Sequence, residues 1–180
     1  AMIRLLRRMI IWGMLVLLLS TCRQDNRQTL FEMIYPNIVF EMPAGLTGSL
    51  PRVFEQNGLR TNFRAYLNEF NVDTALITGI EPISATLAAL TDERFDFLRE
   101  VSIRICDAES ASCNVAEEVF YLDNIQNQRV GSELRLLPTL INAERVLTQE
   151  RFKLEVWFYF FGVSPSTIPI KLDLRFDAVQ

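Results

Sequence analysis

Ile168-Pro169-Ile170-Lys171-Leu172-Asp173-Leu174-Arg175-Phe176-Asp177-Ala178 alternates apolar and polar residues without interruption. A period of two is the signature of a strand with one buried and one wetted face. Just upstream, Phe152, Leu154, Val156, Phe158 and Phe160 form a second apolar set, opposite Lys153, Glu155, Trp157, Tyr159 and Phe161. The turn-rich residues 162–167 between them are expected to close the two strands into a terminal hairpin.

Moving toward the N-terminus, Val101, Ile103 and Ile105 alternate with Ser102, Arg104 and Cys106. This strand is predicted to meet residues 119–122 across a polar turn bearing Cys106 and Cys113, which a disulfide would close. Residues 133–137 read as another short strand and 142–149 as a helical turn. Residues 77–90 read as a half-buried strand with Ile77, Ile83, Ala85, Leu87 and Ala89 inward, and 91–98 as a helical turn through Phe97 and Leu98. Phe63, Tyr66, Leu67 and Phe70 lie at helical spacing between Asn62 and Asn71, the expected caps. A first strand over 30–42 is broken by Pro36, and a Gly/Pro-rich loop follows from 43 to 51. Short strands with brief helices predict a single mainly-β domain, residues 30–180. The expected form is an antiparallel β-sandwich of immunoglobulin-like or jelly-roll type; the alternative is a lipocalin-like β-barrel.

The N-terminus reads differently. Arg4, Arg7 and Arg8 precede an apolar run from Met9 to Leu19, the layout of a secretory signal and too short for a spanning helix. Leu19-Ser20-Thr21-Cys22 resembles a bacterial lipobox, with Thr21 where a smaller residue is usual. That resemblance implies a signal peptide at 1–21, diacylglycerol on Cys22 and a lipidated polar tether at 22–29. Multiple acyl chains give durable attachment. Arg23 follows in place of an inner-membrane-retaining aspartate, so the expected location is the outer membrane, periplasmic or surface face.

Composition excludes several chemistries. The chain has no histidine, which removes Ser-His-Asp and Cys-His catalysis and imidazole-ligated zinc. Without residues 1–21, 15 basic and 22 acidic residues leave a net charge of −7, and no nucleic-acid partner is expected. In an exported protein Cys106 and Cys113 read as a disulfide rather than a metal or Cys-x-x-Cys pair. Acidic residues at 92, 93, 96, 107, 109, 117 and 118 fit solvated turns better than a glycosidase pair. A calcium site from Asp107 and Glu109 lacks any EF-hand spacing. No catalytic residue, metal or cofactor is therefore assigned, and no enzyme is expected.

With Phe-Asp-Phe-Leu-Arg-Glu-Val-Ser-Ile-Arg-Ile at 95–105, the order of lipobox, polar tether and β-domain resembles uncharacterised small lipoproteins of Bacteroidota outer membranes. The resemblance covers residues 60–180 loosely. It implies a sandwich-like fold and a cell-envelope location and brings no catalytic residues. Trp157, Tyr159 and Phe161 are the candidate ligand or partner face, since aromatics offer contact area and a polar handle. Two functions follow: a non-enzymatic interaction subunit beside a membrane-protein partner, or a glycan-binding surface lipoprotein stacking sugars on those rings.

Overall fold

The computed structural model describes residues 27–48 and 50–180. The expected signal peptide, Cys22 and the tether as far as residue 26 lie outside the described residues. Eight strands, β1 (Thr29–Met42), β2 (Arg52–Arg60), β3 (Gly79–Ala89), β4 (Leu98–Asp107), β5 (Glu118–Leu122), β6 (Glu133–Pro138), β7 (Arg151–Phe160) and β8 (Ile168–Val179), are accompanied by two short helices, α1 (Phe63–Phe70) and α2 (Glu144–Leu147). Their spatial order is β1-β8-β3-β6-β5-β4-β7-β2, with every pairing antiparallel.

Within this order lies a nested set. β4 pairs β5, β3 pairs β6, β2 pairs β7 and β1 pairs β8. The first half of the chain thus runs against the second like one long hairpin whose innermost turn, 108–117, carries the disulfide Cys106–Cys113, with Cα atoms 5.4 Å apart. Further pairing of β8 with β3 and of β4 with β7 rolls that hairpin sideways. The curled sheet buries one continuous apolar face, with rings from the two halves of the strand order in contact: Tyr35 with Phe152 at 5.2 Å, Phe120 with Phe176 at 5.5 Å and Phe40 with Phe158 at 6.1 Å. Only two residue pairs, Phe120–Pro138 and Tyr121–Leu137, join β5 to β6.

β1 and β2 are the two ends of the strand order. The seam between them is filled by side chains: Phe40 stacks on Phe54 at 5.4 Å, and the Tyr35 hydroxyl donates to the Thr61 carbonyl at 2.9 Å. Helix α1 covers one end of the seam, stacking Tyr66 and Phe70 on Phe31, while the Tyr66 hydroxyl meets both the amide and the carbonyl of Ile34. An edge strand satisfied this way is a poor template for pairing with another chain.

Several expectations are corrected. β7 and β8 are not a hairpin, because β7 lies between β4 and β2 whereas β8 lies between β1 and β3. Their connection crosses the molecule: the amides of Phe161 and Gly162 donate to Phe97 O, and Ser164 exchanges backbone bonds with Gly45 and Leu46. Residues 91–98 form no helix, since Phe95 is fully buried and its amide is held by Gly131 O, so core anchoring overrides local propensity. Pro36 does not end β1; the strand continues through a register shift with Asn37 at φ 59° and its amide bonded to Asp173 Oδ1 at 2.7 Å. Another register shift after Pro82 flips the parity of β3, so Ile83 is exposed while Ile80 and Pro82 are buried. β2 had no counterpart in the sequence reading. Asn62 and Asn71 do flank α1, both left-handed, although Asn62 makes no side-chain cap.

The topology gives the domain two ends. Thr29 and Val179 pair at one end, together with the connections 61–78, 108–117 and 139–150; we term this the proximal end. The connections 43–51, 90–97, 123–132 and 161–167 lie at the opposite, distal end. Replacing Cys106 and Cys113 together by Ser should lower urea-unfolding stability by about 2.5 kcal/mol, the chain-entropy value for so short a loop. Near-unchanged stability in that variant would show the loop to be held by its other contacts alone.

Candidate functional site

The alternation of β7 that sends Phe152, Leu154, Val156 and Phe158 inward places Lys153, Glu155, Trp157 and Tyr159 on the opposite face of the sheet. There, register forms a row across four strands: Glu55 faces Glu155, Glu155 faces Arg104, and Arg104 faces Glu118. Directly opposed carboxylates repel. Lys153 resolves this, its Nζ lying 3.2 Å from Glu55 and 3.3 Å from Glu155.

This face is not open. The disulfide-bearing connection 108–117 folds back over it, and Lys153 donates to Ala111 O at 2.7 Å while the Cys113 amide donates to Glu155 Oε1 at 3.0 Å. Glu155 is fully buried, Lys153 is 3% exposed and Arg104 is 6% exposed. Burial works against the charge of Lys153, but Glu55 and Glu155 outweigh it and the ammonium's pKa is raised. A buried charge requires such partners. Arg104 lays its guanidinium 4.1 Å from the centre of the Trp157 ring, and its Nε has no hydrogen-bond partner among the described residues.

The three sequence-singled aromatics therefore do not form one platform. Trp157 and Tyr159 are half-buried, Arg104 covers the former, and Arg99 lies 5.7 Å from the ring centre of the latter. The indole N–H of Trp157 donates to Glu155 Oε2 at 2.9 Å, so its polar handle serves the buried network. Phe161 lies beyond the end of β7, in a distal loop, and is 70% exposed. Arg104, Lys153 and Glu155 escaped sequence reasoning because their alternation is that of a wetted face. The polar connection that covers them gives no hydrophobic signal of its own.

Among the described residues, one set of metal-donor types converges: Cys106, Cys113 and Glu117. Both sulfurs are in the disulfide, and Glu117 Oε1 accepts from Arg145 at 2.8 Å, so these atoms are already engaged. Asp107, the first calcium-ligand candidate, is held by Arg145 at 2.7 Å and by Gln149 at 2.7 Å. Those two hydrogen bonds, that of Arg145 first, lower its carboxyl pKa below the ordinary value. The arrangement braces a loop, with Arg145 and Gln149 holding Asp107 and Arg145 holding Glu117.

No protein-family model matches the sequence, and no curated protein matches it. Among solved structures, a chain in the three-dimensional structure of Cocksfoot mottle virus is similar over 88% of each chain, at 12% identity and a TM-score of 0.29.

Glu155→Ala should cost roughly 3–5 kcal/mol in urea unfolding by stranding Lys153 and the Cys113 amide, whereas Glu155→Leu with Lys153→Met should recover much of that loss. Equal losses in both variants would mean the pair acts through packing alone. Asp107, with a folded pKa below its unfolded one, adds stability above the unfolded value that disappears as pH falls through the folded value. Arg145→Gln should therefore flatten the decline of Tm on acidification below about pH 4; an unchanged acid limb would contradict the assignment.

Proposed function

We propose that this chain is a lipid-anchored, non-enzymatic interaction subunit of the cell envelope. In this reading residues 1–21 direct export, Cys22 carries the lipid, and residues 22–29 tether a single domain, 30–180, at the outer membrane beside a membrane-protein partner. We read the domain as a jelly-roll sandwich with layers β1-β8-β3-β6 and β5-β4-β7-β2. The nested pairing supports it, since β3-β6-β5-β4 is a Greek-key order and the outer strands continue the same roll. The thin β5–β6 junction and the side-chain-filled β1–β2 seam weigh against a closed lipocalin-like barrel.

One observation carries the functional reading. Among the described residues, every large apolar side chain more than 51% exposed lies in a connection at one end of the domain, none on a sheet face. Val115 and Leu140 are proximal, where the chain arrives from the tether; Leu50, Leu90, Phe161 and Val163 are distal. Clustered exposed apolar residues mark sites of protein or membrane contact. A lipid on Cys22 would seat the proximal end at the membrane surface and direct the distal rim toward a partner. The glycan reading is weaker because Trp157 and Tyr159 already carry guanidiniums and the indole N–H is engaged.

Cys22→Ala should shift the chain from the membrane fraction to the soluble fraction of fractionated cells; continued sedimentation with membranes would count against lipid attachment. Phe161→Asp with Leu90→Asp should abolish co-purification of a membrane protein from detergent-solubilised envelopes while leaving the urea midpoint within about 0.5 kcal/mol of wild type. Retention of the same partner by that variant would remove the distal rim from the proposal.

A further inference from the structure

A cleft of about 500 Å³ opens at the proximal end, between the β2–α1 junction (residues 60–65) and the segment 148–150 that leads into β7. Its walls are pinned. Thr61, 1% exposed, donates its amide to Glu150 O at 3.1 Å and its hydroxyl to Gln149 O, while its own carbonyl receives the Tyr35 hydroxyl. The cleft is thus a fixed feature of the seam between the sheet's end strands, braced from β1, β2 and the start of β7.

Its charge is unbalanced. Arg60 and Arg64 line it, with Glu150 the one acidic residue of the lining. Arg60 stands directly across the ladder from Arg151, whose side chain crosses the bulge at Gly58, Nη1 being 3.7 Å from where a Cβ on that glycine would sit. Like charges facing each other across a strand pair destabilise it. None of the three guanidiniums has an ion-pair or hydrogen-bond partner among the described residues. Elsewhere Arg145 pairs with Asp107 and Glu117, Arg175 with Glu32 and Arg135 with Glu133, while Arg52 and Arg129 stand without an ion pair among the described residues but singly, not facing a second arginine across a strand pair.

We infer that the cleft walled by Arg60 and Arg64, with Arg151 at its rim, binds the phosphate group of a phosphomonoester. The lining itself carries two guanidiniums against one carboxylate, a net charge of +1, and Arg151, facing Arg60 across the strand pair, adds a further positive charge beside it; together they complement a phosphomonoester dianion, and the planar fork of arginine suits phosphate oxygens. A single carboxylate ligand would balance the lining but leave the charge of Arg151 unmet. Binding would also relieve the Arg60–Arg151 repulsion. The phosphate could belong to a soluble ester or to a lipid headgroup, and the cleft lies at the end from which the chain runs back toward Cys22. The geometry stands without the lipid anchor; only the headgroup source draws on that reading.

The test uses the full chain. In detergent micelles, calorimetric titration with phenyl phosphate at pH 8 should show binding that weakens at least tenfold in Arg60→Gln/Arg64→Gln and measurably in Arg151→Gln, but not in Arg129→Gln at the distal end. The urea midpoint of the double variant should equal or exceed that of wild type, because like-charge repulsion has been removed. In phosphatidylcholine nanodiscs, adding phosphatidic acid should slow hydrogen exchange in residues 60–65 if the headgroup is the ligand. Binding of phenyl phosphate without that protection assigns the site to soluble esters. Absence of both responses in wild type, or equal phenyl phosphate affinity in the folded double variant, would overturn the inference. Release of Cys22→Ala from membranes is read separately, so loss of the anchor and loss of the phosphate site are distinguishable.

Discussion

Antiparallel pairing of each strand with its mirror in chain order, β4 with β5 out to β1 with β8, is the constraint from which the other features follow. Only the innermost pair is local; each later pair closes a longer stretch of chain, at an entropic cost that grows slowly with length. The disulfide sits in that innermost turn, where it stiffens the one pairing that needs no other strand. The same nesting sends alternate connections to opposite ends, brings Thr29 and Val179 together, and leaves β1 and β2 as the unpaired edges that α1, Tyr35 and Phe40 must cover.

β7 shows how the roll creates its own buried chemistry. Enclosed by β4 and β2, with the core on one face and the disulfide connection on the other, it takes Lys153 and Glu155 out of water. Their retention there requires satisfied partners, and the connection supplies them through Ala111 O and the Cys113 amide. Covalent closure and charge pairing thus stabilise the same segment. The Arg60–Arg64–Arg151 group is the opposite case, charge concentrated at the proximal end without ion-pair partners among the described residues.

Much of this was legible where one strand face is wet. β8 reads directly from its alternation, the β4–β5 hairpin from its alternation and cysteines, and α1 from Phe63, Tyr66, Leu67 and Phe70. The partners of β7 and β8 were not legible, because alternation specifies a face and never a neighbour. β2 escaped because Glu55, Gln56, Asn57 and Gly58 give an exposed edge strand no apolar period. Ile83 was misplaced by a bulge that shifts parity without a sequence mark, and Phe161 by extending the parity of β7 one residue past its end. For the candidate site, Trp157 and Tyr159 were visible as aromatics, whereas the guanidiniums over them depend on register with β4.

The two ends, the seam and the buried face all depend on the nested pairing and its sideways roll, so cross-strand nuclear Overhauser contacts of the isotope-labelled full chain in micelles are the most direct measurement. The account expects backbone contacts between Glu55 and Glu155, between Thr86 and Asp173, and between Phe40 and Ile170. Contacts running along β7 and β8 as a hairpin, with those three pairs absent, would contradict it.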